Sequence, residues 1–95
     1  MQWAVLHEAG DDGGVFFIMQ GGQRIGEMTY QRVSATLAII DHTEVIPDLR
    51  GKGVARILFN AAVEWARKNR LRLGASCSYA VAQFARDPSL QDVRG

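Results

Sequence analysis

Pro47 separates two kinds of hydrophobic pattern, and that change of period limits the fold more than any other feature of the chain. Ahead of it, apolar residues come in short β-branched and aromatic runs bounded by turn formers. Val15-Phe16-Phe17-Ile18-Met19 reads as a strand, and the stretch Ala9 to Gly14 before it as a loop. Gly21-Gly22 tolerates the positive φ of a tight hairpin, and Arg24 to Gln31 is the return strand. On that strand Ile25, Glu27 and Thr29 share one face, Gly26, Met28 and Tyr30 the other. Thr36 to Ile40 and Thr43 to Ile46 form a further long strand, with a bulge or break at Asp41-His42. Pro47 ends it, having no N–H for the ladder.

Behind Pro47, Val54, Ile57, Leu58, Ala61, Ala62 and Trp65 recur every three or four residues, one apolar face of a helix. Leu71 to Cys77 reads as a strand, so a strand–helix–strand crossover is expected. A short helix from about Tyr79 to Arg86 stops before Pro88, and the tail Ser89 to Gly95 is expected to be loose. The fold class is therefore α/β.

Size and charge narrow the function classes. With 95 residues the chain has room for a single domain (1–95) and one core, not for a separate substrate domain. Eleven Lys and Arg against ten Asp and Glu leave a net charge of +1, no case for nucleic acid or a membrane surface. No apolar run nears the roughly 18 residues of a membrane span, and Met1 to Glu8 lacks the basic start and apolar stretch of a signal peptide. The lone Cys77 excludes an internal disulfide and suits a reducing cytoplasm. Two histidines and one cysteine without close spacing predict no metal site.

The segment Val45-Ile46-Pro47-Asp48-Leu49-Arg50-Gly51-Lys52-Gly53-Val54-Ala55 carries most of the chemistry. It sets a strand end, a basic glycine loop and a helix start in succession. Gly51 and Gly53 let backbone N–H groups approach a ligand, and the first helical N–H groups are unpaired at the positive end of the dipole. With Arg50 and Lys52 this is a phosphate cradle; the plainer alternative is a glycine-shaped turn. A Walker loop is excluded because Gly53 follows Lys52 where Ser or Thr is needed, and a dinucleotide fingerprint because Arg56 stands in place of its third glycine.

Arg50-Gly51-Lys52-Gly53-Val54-Ala55 resembles the acetyl-CoA pyrophosphate loop of the GNAT acetyltransferase superfamily, Arg/Gln-x-x-Gly-x-Gly/Ala. His42-Thr43-Glu44-Val45, the helix ending near Trp65-Ala66-Arg67, Cys77-Ser78-Tyr79 and Ala85-Arg86-Asp87-Pro88 resemble its branch of short domains, over roughly Val15 to Pro88. That branch often has proline two residues before the cysteine; this chain has Ala75. The resemblance implies a minimal GNAT fold: a mixed, mostly antiparallel sheet, one main helix after the loop and a short C-terminal helix. It also implies an acetyl-CoA-dependent N-acetyltransferase without a metal, acting on an amine acceptor such as a peptide or protein lysine or N-terminus. Two alternatives stand beside it: a non-catalytic module that binds CoA or acyl-CoA, and an interaction domain whose glycine loop is structural.

The resemblance assigns the cosubstrate to Val45, Ile46, Arg50, Gly51, Lys52, Gly53, Val54 and Ala55, with the backbone N–H of Val45 as oxyanion donor. Glu44 and His42 are candidate bases, two apart on one strand face if no bulge intervenes. Their plainer roles are an exposed carboxylate and a structural histidine. Cys77 has three readings: buried filler, a general acid beside the CoA sulfur, or an acylated nucleophile. Tyr79 is the other candidate proton donor, or else packs at the edge of the core.

Overall fold

The computed structural model describes residues 3–95; Met1 and Gln2, part of the leader reading, lie outside the described residues. Five strands form one sheet in sequence order: β1 (Leu6–Ala9), β2 (Gly13–Gln20), β3 (Gln23–Arg32), β4 (Leu37–Val45) and β5 (Arg72–Ala75). The first four are antiparallel and β4–β5 is parallel, joined by the crossover helix α1 (Val54–Lys68). A second helix, α2 (Ser78–Arg86), follows β5. No helix among the described residues is long and apolar enough to cross a membrane.

The core lies between one face of the sheet and the two helices. Ile18, Met28 and Ile40 from the strands meet Val54, Leu58 and Phe59 of α1. Gly26 sits where a Cβ would come within 2.7 Å of a Val54 methyl, so α1 rides directly on β3. Among the described residues the other face of the sheet carries no helix, and Glu27, Thr29 and Gln31 point that way.

Four expectations are corrected. Of the expected loop Ala9 to Gly14, Ala9 closes the strand Leu6–Ala9 and Gly13 and Gly14 open β2; every residue of β1 is exposed, so edge pairing and not alternation makes it a strand. The buried stripe of α1 is Val54, Leu58, Phe59, Ala62, Val63 and Ala66, while Ile57, Ala61 and Trp65 are only half-buried. The helix is rotated so that Phe59 reaches α2, whose Phe84 ring lies 5.2 Å away. β5 stops at Ala75, where the branch's proline would also end a strand, and Cys77 is the N-cap of α2. The tail is packed: Leu90 and Val93 are buried, Gly95 N–H bonds Leu73 C=O at 2.8 Å, and Asp92 accepts two bonds from Arg67 at 2.9 Å. Its two apolar side chains cover an end of the core that the sheet leaves open.

At the other end of the sheet His7 lies flat on Phe16, with ring centroids 4.1 Å apart, and edge-on to Trp65 at 5.2 Å. Its Nε2 is 2.7 Å from the Tyr30 hydroxyl. Burial against these rings holds its pKa below the ordinary 6.5. The unfolded chain therefore binds this proton first as pH falls, and the contribution of neutral His7 is complete above pH 6.5 and declines below it. Thermal melts are expected to show Tm falling between pH 7 and about 5.5, and His7→Phe should remove most of that slope. An unchanged slope in the variant would assign it to other groups.

Candidate functional site

The site is made by a bulge. β3 and β4 pair Thr29 with His42 but Tyr30 with Ile40, so Asp41 is the extra residue. Its carboxylate is anchored on the open face by Thr29 Oγ1 at 2.6 Å and Gln31 Nε2 at 2.9 Å. The extra residue inverts the alternation beyond it. His42 and Glu44 turn to the open face, and Thr43 and Val45 turn toward the helices.

The same place is where β4 and β5 part. Their pairing ends at Ile40 and Ala75; Ser76 and Cys77 N–H both converge on Ile40 C=O, at 2.9 and 3.4 Å, and the chain then turns into α2. Ile46 N–H bonds Ile25 C=O at 3.0 Å, and in an antiparallel ladder opposed pairs alternate between bonded and non-bonded. The backbone groups of Thr43 and Val45 therefore point away from β3, into the side that β5 has vacated. Val45 C=O there is taken by Arg50 Nε at 3.2 Å. Val45 N–H is left aimed into the splay.

The glycine loop closes this slot on the helix side. A 3₁₀ turn, Pro47–Leu49, leads into Gly51 and Gly53, with φ of +78° and +91°. An L side chain at either would be strained, so the turn alone demands glycine. A Cβ at either would meet nothing within 4 Å. The two glycines thus border open space rather than packed protein. Gly53 is the N-cap of α1 and offers no side-chain cap, and the first turn holds no acid. A cleft of about 330 Å³ lies against it, lined by Val45, Leu49, Arg50, Gly51, Gly53, Val54, Ala55, Arg56 and Tyr79. This is a receptor of unpaired N–H groups at the positive end of a helix, the chemistry a diphosphate needs.

Most expected loop residues converge there, but two do not. Ile46 gives its N–H to β3 and lines a different cleft, on the Glu27 and Glu44 side. Lys52 is exposed and outside the cleft lining. Arg56, whose Nη1 bonds Gln83 Oε1 at 2.8 Å, also lines the cleft, although the sequence gives it no role there.

The candidate catalytic side chains fall on two sides of β4. On the helix side, Cys77 Sγ lies 3.4 Å from Thr43 Oγ1 and 3.5 Å from Ala80 N–H. Tyr79, two residues on, has its ring edge-on to Phe59. Burial raises the Tyr79 phenol above its ordinary value, so it keeps its proton at neutral pH. On the open side, His42 Nε2 lies 3.4 Å from Glu44 Oε1 and 3.4 Å from Glu27 Oε2. Glu27 was no candidate in the sequence, because only the β3–β4 register brings it opposite Glu44. Donor atoms of these three groups lie within 4.8 Å of one another, the one trio among the described residues close enough to hold a cation. Sequence spacing could not show it, since one member comes from a different strand.

Comparison with known proteins identifies the fold. The model of the GCN5-related N-acetyl-transferase family matches residues 15–93. The chain is similar to the solution structure of a GCN5-like protein from Staphylococcus aureus, 36% identical, over 95% of this chain and 87% of that one, with a TM-score of 0.73. It shares its fold with the ribosomal-protein-S18-alanine N-acetyltransferase of Escherichia coli, at 22% identity and TM-score 0.67, over 81% of this chain and 52% of that one. It likewise shares the fold of the aminoglycoside N-acetyltransferase AAC(6')-Iy solved in complex with CoA, at 22% identity and TM-score 0.60, over 86% of this chain and 60% of that one. The chain thus spans between half and three-fifths of these two larger enzymes. No curated protein matches the chain significantly by sequence. By the span of the family match and the identity of its short relative, this chain belongs to the GCN5-related N-acetyltransferase family.

Proposed function

We propose that this protein transfers the acetyl group of acetyl-CoA to a primary amine on a peptide or protein, a lysine or an N-terminus, in the cytoplasm. One observation carries the reading: the splay between β4 and β5 runs directly into an uncapped helix N-terminus beside two glycines. An extended pantetheine arm suits the unpaired edge of β4 as an added strand, and its diphosphate suits the loop.

The division of side chains across β4 supports an order of events. The amine approaches from the open face, where His42, flanked by two carboxylates, accepts its proton. Its nitrogen bonds the thioester carbonyl carbon, and Val45 N–H stabilises the charge that develops on the carbonyl oxygen. The C–S bond breaks toward the helix side, where Tyr79 gives its phenolic proton to the departing thiolate. Cys77 lines the thiol end with Thr43. The bare sheet face favours an amine that protrudes from a chain over a small buried metabolite.

The test is release of free CoA thiol over a panel of peptides and amines. Binding of CoA without turnover would favour a CoA-binding module, and no binding a structural loop. Tyr79→Phe is expected to lower kcat about 10- to 100-fold with little change in acetyl-CoA KM. Cys77→Ala should retain most activity, and intact-mass spectrometry after rapid quench should show no acetylated Cys77. A thioester adduct that forms and decays at the turnover rate would instead establish a covalent route.

A further inference from the structure

We infer that Glu27, supplied by β3, is an acceptor-binding residue: with Glu44 it holds the incoming amine as its ammonium ion beside His42. This rests on the acyl-transfer reading for the reaction, but the binding it describes can be measured without turnover.

Glu27 and Glu44 stand directly opposite each other across β3 and β4. Like charges in that register cost stability unless a cation lies between them. The groups facing the pair are Arg24 and His42. Arg24 Nη1 bonds Glu27 Oε1 at 3.2 Å while its guanidinium lies over the Phe17 ring at 4.0 Å, so it occupies one oxygen of Glu27 and leaves the other. The other oxygen, Glu27 Oε2, and Glu44 Oε1 both face the single nitrogen His42 Nε2 at 3.4 Å. A single ring nitrogen serves at most one of two acceptors, and both contacts are longer than a good hydrogen bond. Two carboxylates thus converge on one point with accepting capacity to spare. An ammonium ion has three N–H donors to use there.

The adjoining cleft has the matching shape. It measures about 250 Å³ and sets Glu27 and Glu44, with Arg24 bonded to Glu27, against the apolar Ile25, Ile46 and Pro47. That combination suits an alkyl chain ending in a charge, such as a lysine side chain. The proton accounting also closes. Neutral His42, with its proton on Nδ1, takes one proton from the ammonium at Nε2, becomes imidazolium between the same two carboxylates, and leaves a neutral amine to attack; the second nitrogen proton, shed once the C–N bond has formed, replaces the one Tyr79 gives to the thiolate. The charge of the cluster with its guest is the same before and after. The proton held on His42 returns to solvent across the exposed face before the next turnover.

The experiment compares a blocked tripeptide containing lysine with its norleucine counterpart, titrated into the CoA-loaded protein and followed by backbone amide shifts. The lysine peptide is expected to perturb Glu27, His42 and Glu44 and to bind at least about tenfold more tightly than the norleucine peptide. Glu27→Gln should abolish that preference with CoA affinity unchanged, and Glu27→Asp should restore part of it. In turnover the same Gln variant should raise acceptor KM more than it lowers kcat. Equal binding of the two peptides by the wild-type protein, or an undiminished lysine preference in folded Glu27→Gln, overturns the inference. A lysine preference that disappears in Glu27→Gln, in a protein that transfers no acetyl group, upholds it and sinks the acyl-transfer reading instead.

Discussion

Ala55→Asp is expected to leave the fold intact and to weaken CoA binding about 100-fold. The two effects have opposite signs because they act on opposite partners. An acid in the first turn of α1, which has none, complements the helix dipole and adds a few tenths of a kcal/mol to stability. The same carboxylate would stand in the cleft that Ala55 lines, beside the N–H groups proposed to hold the diphosphate. Two unit charges about 5 Å apart at an effective dielectric of about 20 repel by roughly 3 kcal/mol, or two decades in affinity. Calorimetry with CoA and a thermal melt of the same sample check both. This variant separates ligand from fold better than a change at Gly53, where the φ of +91° would strain any side chain regardless of CoA. Unaltered CoA affinity in folded Ala55→Asp would remove the diphosphate from this loop.

Phe59→Ala is expected to lose about 3–5 kcal/mol of stability and to lower Tm by roughly 15 °C or more. Phe59 is among the largest side chains the core hides completely, and its ring meets the edges of Phe84 and Tyr79 at 5.2 and 6.3 Å. Removing it opens a cavity between α1 and α2 that neither helix can collapse without dragging its terminus away from the cleft. For a domain of this length the loss is a large part of the total, which runs at about 0.05–0.15 kcal/mol per residue. Below its lowered Tm the variant should also show a reduced kcat, because Tyr79 loses the ring it leans on. Ile57→Ala, on the half-buried side of the same helix, should cost less than half as much. Denaturant melts of the two variants test the orientation of α1: the reverse order would mean that Ile57, not Phe59, faces the core.

The two variants mark where reading the residues succeeded and where it stopped. The bounds of α1 were legible because glycine and a change of period mark its start, and basic residues with Asn69 its end. Its rotation was not. Both stripes, one through Ile57, Ala61 and Trp65 and one through Phe59, Val63 and Ala66, are apolar, and only packing on the sheet, with Phe84 of α2 against Phe59, selects between them. The exposed edge strand Leu6–Ala9 had no pattern to read, since pairing with Val15 and Phe16 rather than burial orders it. The tail's Leu90 and Val93 are too few for a periodicity, and they are buried because the core ends beside them.

The candidate site divides in the same way. Backbone chemistry could be read locally: a glycine that must take a positive φ, and helix N–H groups that lack a partner, depend on neighbours in the chain. Of that loop, Arg50, Gly51, Gly53, Val54 and Ala55 line a cleft and Lys52 does not. Side-chain chemistry could not be read so. One unpaired residue, Asp41, sets which way His42, Thr43, Glu44 and Val45 face, and its anchor comes from Thr29 and Gln31 on another strand. Glu27 joins His42 and Glu44 only through that register, and Thr43 meets Cys77 only where β5 turns into α2. Short-range order alone made this an α/β chain with a glycine loop opening onto a helix start. Cross-strand register and helix packing decided which residues share the slot with it, because strand alternation reverses with a single extra residue and no local signal fixes its phase.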